Sequence, residues 1–221
     1  MKLTFIPPSC SVKHITYPAA PRNGGPVFRQ PLYGEWDVMP KYNEWRGLAH
    51  VPSRTVWNNN LELSTMKIPH FWDHAKKTPF QWLDIGMFGK RCKELPLDGA
   101  IAVFDWVPVD RLTPWGMRHQ LITKWFDTLD RYECPGLGQI FTPEILRVTP
   151  RRFGACDLSN GKVGGDMPSL VEAFARGLKE WSKDKFDLLE GIVLKRVDSP
   201  YPVQLIGPKR KTDNWIKHRW D

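Results

Sequence analysis

A carboxylate and an amine stand at the two ends of one β-branched run, Glu190-Gly191-Ile192-Val193-Leu194-Lys195. In a regular strand successive side chains alternate faces, so Glu190 and Lys195 point to opposite sides. A site that uses both needs Gly191 to bend the chain before the regular strand begins. A second run, Trp215-Ile216-Lys217-His218-Arg219, has period two and puts Lys217 and Arg219 on one face. Two adjacent cations suit an anionic phosphate; an exposed strand with its basic residues turned outward is the plainer alternative. Upstream, Pro40-Lys41-Tyr42-Asn43-Glu44-Trp45-Arg46-Gly47 sets a lysine and an arginine five residues apart among aromatics. A partly desolvated lysine near other cations has its ammonium form disfavoured, which frees the amine as a nucleophile. Lys195, Lys217 and Arg219 are candidates to supply those cations.

Together these segments resemble the covalent nucleotidyltransferase superfamily, specifically the adenylation domain of ATP-dependent DNA and RNA ligases. KYNEWR resembles the nucleophile motif Lys-x-Asp/Asn-Gly-x-Arg, EGIVLK the motif Glu-Gly-x-Val-x-Lys, and WIKHR the motif Lys-x-Lys with Arg as second cation. WLDIGMFGKR stands where an Asp-Gly-Glu motif belongs, and AVFDWV resembles the strand whose aromatic stacks on adenine. The order is that of the family, and the resemblance spans about 36–219. It implies an α+β nucleotidyltransferase domain, ATP-grasp-like, of antiparallel sheets flanked by helices. It also implies ATP and Mg²⁺ as cofactors, and nicked duplex DNA as substrate, with RNA as the alternative. In such a reaction Lys41 attacks the α-phosphate of ATP, pyrophosphate leaves, and the adenylate passes from the lysine to the 5′-phosphate at a nick. Displacement of AMP by the 3′-hydroxyl seals the strand, and positioning and charge neutralisation carry most of the catalysis.

The roles that follow are implied by the resemblance. Lys217 grips the α-phosphate with help from Arg219 and Lys195, and Glu190 is the carboxylate tied to the metal. Phe104 stacks on adenine, an ordinary core position in AIAVFDWV being the alternative. Arg46 contacts the nick phosphate or the nucleotide, and Asn43 and Asp84 belong to the nucleotide site. Four positions depart from the pattern: Glu44 replaces the glycine of the nucleophile motif, and Gly86 replaces the glutamate of the third. Asn59 stands where an arginine is expected, and Met39 where a glutamate commonly reads adenine. Glu44 is a candidate to replace the missing carboxylate; a binder that kept the fold and lost the chemistry is the competing reading.

The elements that must hold these residues are short. Residues 36–65 read as an antiparallel meander broken by turn signals such as Asn58-Asn59-Asn60, and 100–107 as a buried strand. After Pro114, the residues Met117, Leu121, Ile122, Trp125 and Leu129 fall on one face at helical spacing. A second helix opens at Ser169 with Glu172 three residues on, a capping box, followed by Leu170, Phe174, Leu178 and Trp181. Twenty Pro and 17 Gly argue against an all-helical bundle.

The 221 residues are expected to form one adenylation domain over 1–221, with no C-terminal OB-fold after Arg219. The net charge of +8 suggests a polyanionic partner. Residues 195–221 hold seven Lys or Arg against three Asp, a net of +4, and Lys209-Arg210-Lys211 is a compact basic knot suited to a nucleic-acid backbone. A solvated basic face is the alternative. No apolar window is long enough to span a membrane. Four scattered Cys without CxxC fit a reducing cytoplasm, and a monomer is expected. His70 and His74 have i,i+4 spacing, but Phe71 and Trp72 between them read as packing. The glycines of Gly161-Lys162-Val163-Gly164-Gly165 lack a P-loop pattern and read as a surface loop.

Overall fold

Short runs of alternating apolar and polar residues build two sheets. The structure, a computed structural model, describes residues 21–23, 34–58, 62–64, 68–88, 99–108, 112–129, 140–143, 145–148, 167–183, 188–202 and 212–220. Asn59, the glycine loop 161–165 and the basic knot Lys209-Arg210-Lys211 lie outside these residues. In chain order the elements are β1 (Pro21–Asn23), β2 (Trp36–Tyr42), β3 (Trp45–His50), β4 (Thr55–Trp57) and α1 (Pro69–Ala75). There follow β5 (Trp82–Met87), β6 (Ile101–Trp106), α2 (Trp115–Asp127), β7 (Ile140–Phe141) and β8 (Leu146–Val148). The last are α3 (Met167–Ser182), β9 (Leu189–Arg196) and β10 (Thr212–Arg219). The chain divides into two compact units: the first comprises Met1–Ala19, Glu44–Pro143 and Pro200–Arg210, the second Ala20–Asn43, Glu144–Ser199 and Lys211–Asp221.

The second unit holds a sheet of order β1-β10-β9-β2-β8, antiparallel except where β1 runs parallel to β10. Alternation sorts its strands cleanly. Trp36, Val38, Ile192, Leu194 and Ile216 form the core on one face, where Val171, Phe174, Ala175 and Leu178 pack from α3 at i, i+3, i+4 and i+7. Each fully buried Val- or Leu-sized side chain there contributes roughly 1.5–3 kcal/mol. The residues between them, Asp37, Met39, Lys41, Val193, Lys195, Trp215, Lys217 and Arg219, take the other face by register. The helix begins at Met167, so Ser169 lies inside its first turn instead of capping it. Pro168 tolerates that start because the first-turn N–H groups have no helical partner.

The first unit holds a sheet of order β4-β3-β5-β6-β7, antiparallel except for the β6–β7 pair. Ala49, Val56, Leu83, Ile85, Met87, Ile101 and Val103 line its core with Phe71 and Ala75 of α1 and Ile122 and Trp125 of α2. Phe71 therefore packs, as its place between His70 and His74 suggested. Two expectations need correction. Within 36–65, β3, β4 and the segment bridged at Leu63 run as the expected antiparallel meander, but β2 does not join it. β2 ends two residues before β3 starts, yet it pairs with β8 and β9 in the other sheet. On α2, Met117 and Leu121 are exposed, while Trp115, Arg118, Ile122 and Trp125 face inward. The buried stripe is set by what Arg118 finds inside, described below. Among the described residues no helix is long and apolar enough to cross a membrane.

Candidate active site

In the second unit, one irregularity aims a carboxylate. Across β2 and β9 the pairing runs Met39↔Val193 and Lys41↔Gly191, then steps to Tyr42↔Leu189, which leaves Glu190 as the extra residue of a β-bulge. A bulge bends its strand and redirects the inserted side chain. Gly191 makes it possible: its φ is +151°, and a Cβ there would collide with the His218 carbonyl oxygen of β10. The bend required at Gly191 is thus present, and Glu190 Oε1 accepts from Lys41 Nζ. Arg219 Nη2 donates to the same oxygen at 3.3 Å. Glu190 keeps 23% of its side-chain surface exposed, and Lys41 keeps 14%.

The rest of that face is basic. Lys217 and Arg219 share it, as their period-two spacing requires. Lys195 does too, but only 2% of it is exposed, and its Nζ lies 4.1 Å from the Trp215 ring centroid. A desolvated ammonium over an indole is worth about 2 kcal/mol. Asp37, fully buried, accepts from Arg147 Nε and Nη2 at 2.8 and 2.9 Å, and that hydrogen bond raises the Arg147 pKa above its ordinary value. Asn43 closes the strand by donating its backbone N–H to Leu188 O at 2.9 Å, and Met39 is buried.

In the first unit, Arg46 on β3 stands opposite Gly86 on β5. Its Nε donates to Asp84 Oδ1 at 2.8 Å and its Nη2 to Oδ2, a bidentate clasp. Tyr201 Oη donates to Asp84 Oδ2 at 3.2 Å. Asp84 is fully buried, so its geometry makes it the holder of Arg46. Gly86 explains itself: a Cβ there would come within 2.5–2.6 Å of Phe104 ring carbons and would strike Glu44 Cγ. Glu44 and Phe104 therefore occupy the room that a side chain larger than glycine would need at position 86. Phe104 is the extra residue of a second bulge, where the pairing steps from Asp84↔Asp105 to Ile85↔Val103, and it remains partly exposed.

Sequence reasoning passed over three residues here. Asp105, Arg118 and Tyr201 are all buried. Arg118 Nε and Nη2 donate to Asp105 at 2.8 and 3.1 Å, and its Nη1 to Thr113 O at 2.6 Å. Its guanidinium lies 5.4 Å from the Tyr201 ring and 5.7 Å from that of Trp115. The signal that could have found the group is an aspartate inside the apolar run AVFDWV, since a buried charge demands a partner.

The α+β arrangement of mainly antiparallel sheets is the fold of the nucleotidyltransferase domains of ligases. No protein-family model and no curated protein matches the chain. Among solved structures it is similar to one named Pmar-Lig_Pre, with TM-score 0.66, 14% identity, and coverage of 93% of this chain and 46% of that one. It is similar also to a Chlorella virus DNA ligase-adenylate, with TM-score 0.59, 11% identity, and coverage of 93% and 68%. A third is a Lig E DNA ligase from work on DNA binding with a minimal scaffold, with TM-score 0.58, 10% identity, and coverage of 94% and 70%. The chain thus spans about half the length of the first of these structures. At such identities the likeness is one of fold.

Proposed function

We propose that this chain is an ATP-dependent polynucleotide ligase that seals nicks in duplex DNA through a lysyl-AMP intermediate on Lys41. The observation that carries the reading is the Lys41–Glu190 pair with Arg219 on the same carboxylate oxygen and Lys217 on the same sheet face. Lys41 passes its ammonium proton to water, its Nζ bonds to the α-phosphorus, and the bond from phosphorus to pyrophosphate breaks. Lys217 and Arg219 neutralise the charge that gathers on the phosphate oxygens.

Glu190 fits a Mg²⁺ ion: it is partly exposed, offers only oxygen acceptors, and Mg²⁺ commonly takes one or two protein carboxylates with the rest from phosphates and water. Bound there, Mg²⁺ would offset phosphate charge. Among the described residues no group of three His, Cys, Asp or Glu is placed to hold a metal ion. In the first unit, Phe104 offers a ring for a base, Glu44 beside it an acceptor for ribose hydroxyls, and Arg46 a cation for the nucleotide or the nick phosphate.

Incubation with α-labelled ATP and Mg²⁺ is expected to label the protein covalently with AMP, and Lys41→Ala to abolish the label. An adduct that persists in Lys41→Ala sinks the assignment. Nicked RNA in place of nicked DNA, and GTP in competition with ATP, separate a DNA ligase from its RNA-joining and capping relatives. Salt-dependent nucleic-acid affinity with no adduct would mark a binder that kept only the fold.

A further inference from the structure

Two aspartates face each other across the β5–β6 pair of the first unit, Asp84 opposite Asp105, both fully buried. Like charges directly opposed on neighbouring strands destabilise a sheet, and burial magnifies the cost. Two arginines resolve it. Asp105 takes Arg118, itself 0% exposed, and Asp84 takes Arg46, whose side chain is 26% exposed. Tyr201 joins the halves, with its hydroxyl on Asp84 and its ring against the Arg118 guanidinium. The order Asp105–Arg118–Tyr201–Asp84–Arg46 therefore runs from the interior to the one member with a substantial share of its surface in solvent.

This arrangement constrains Arg46. The clasp uses the Nε–Nη2 edge of the guanidinium, so the plane of that group follows the plane of the Asp84 carboxylate. The Asp84 carboxylate also accepts from the Tyr201 hydroxyl, whose ring lies against the Arg118 guanidinium, and Asp105 and the Thr113 carbonyl hold that guanidinium. Burial, aided by the two aspartates, raises the Tyr201 pKa well above its ordinary value, so the hydroxyl stays a donor at any working pH.

We propose that Tyr201 and Arg118 are positioning residues for Arg46, presenting its guanidinium to a phosphate in one fixed plane. The inference rests on the reading that Arg46 contacts a phosphate of the nucleotide. A prealigned fork loses little freedom on binding, whereas a loose one must be ordered at the expense of affinity.

The test is a double-mutant cycle on the full chain, read by equilibrium ATP binding and by the rate of AMP–protein formation. Tyr201→Phe keeps the ring under Arg118 and removes only the hydroxyl. It is expected to weaken the Arg46-dependent step about tenfold, the scale of one hydrogen bond to a charged group. In an Arg46→Ala background the same change is expected to cost less than twofold. A merely structural role predicts the same factor in both backgrounds, and that result overturns the proposal. Asp84→Asn, nearly isosteric, is read in the same way and stands in should Tyr201→Phe fail to fold. ATP binding that shows the coupling without any adduct upholds the positioning role and sinks the ligase reading. An adduct formed at Lys41 with additive effects sinks the positioning role alone.

Discussion

His50 sits 2% exposed against Trp82, ring centroids 4.3 Å apart, with its Nδ1 2.6 Å from Ser53 Oγ. Desolvation lowers its pKa below the ordinary value of about 6.5. The unfolded chain therefore binds this proton more readily than the fold does. The contribution is complete above about pH 6.5 and is lost as pH falls below it, down to the lowered folded value. Thermal unfolding between pH 7.5 and 5 is expected to show that decline, and His50→Gln to flatten it. At this scale the sequence was a good guide to charged residues near the surface and a poor one to those inside. Glu190 and Arg219 stood out by their place in period-two runs, and Lys41 through the resemblance of KYNEWR to a nucleophile motif. Arg118 did not, because nothing within its own helix says that it is buried. Its burial depends on Asp105, which lies on another element, and local periodicity cannot report a distant partner.

Elements were legible where they are self-contained. The strand read over 100–107 is β6 at Ile101–Trp106, and the helix after Pro114 is α2. Sheet membership was not legible, because β2 and β3 are separated by only two residues and yet belong to different sheets. The bulge at Glu190 was legible in half: Gly191 announced a bend, but the register step needs β2 in place beside it. Gly191→Ala tests the element directly. It puts a Cβ where φ is +151° and against the His218 carbonyl. The expected cost is about 1–3 kcal/mol from the backbone alone, seen as a lowered unfolding midpoint. AMP–protein formation is expected to fall with it, since β10 can relieve the clash only by moving away from the bulge that aims Glu190.

For the molecule as a whole, the net charge of +8 becomes testable through salt. If Lys209, Arg210 and Lys211 contact phosphates, each contributes a slope of about −0.9 to the dependence of log affinity on log salt for duplex DNA. Replacing all three with alanine is then expected to make that slope shallower by about 2.7 in a titration across salt concentrations. An unchanged slope would mean that Lys209, Arg210 and Lys211 contact no phosphate.

The sheet order β1-β10-β9-β2-β8 also has a consequence for how the protein is made. Lys41 and Glu190 are 149 residues apart in the chain, and both strands that flank β2 are synthesised long after it. At roughly 5–20 residues per second, β2 waits on the order of 10 s at the ribosome with no strand partner on either side. During that interval it is an open template for another nascent chain. The Lys41–Glu190 pair cannot form in the same period, because Glu190 has not yet been translated. The nascent protein is thus most vulnerable to aggregation before its lysine–carboxylate pair exists, and the arrival of β9 ends both conditions at once.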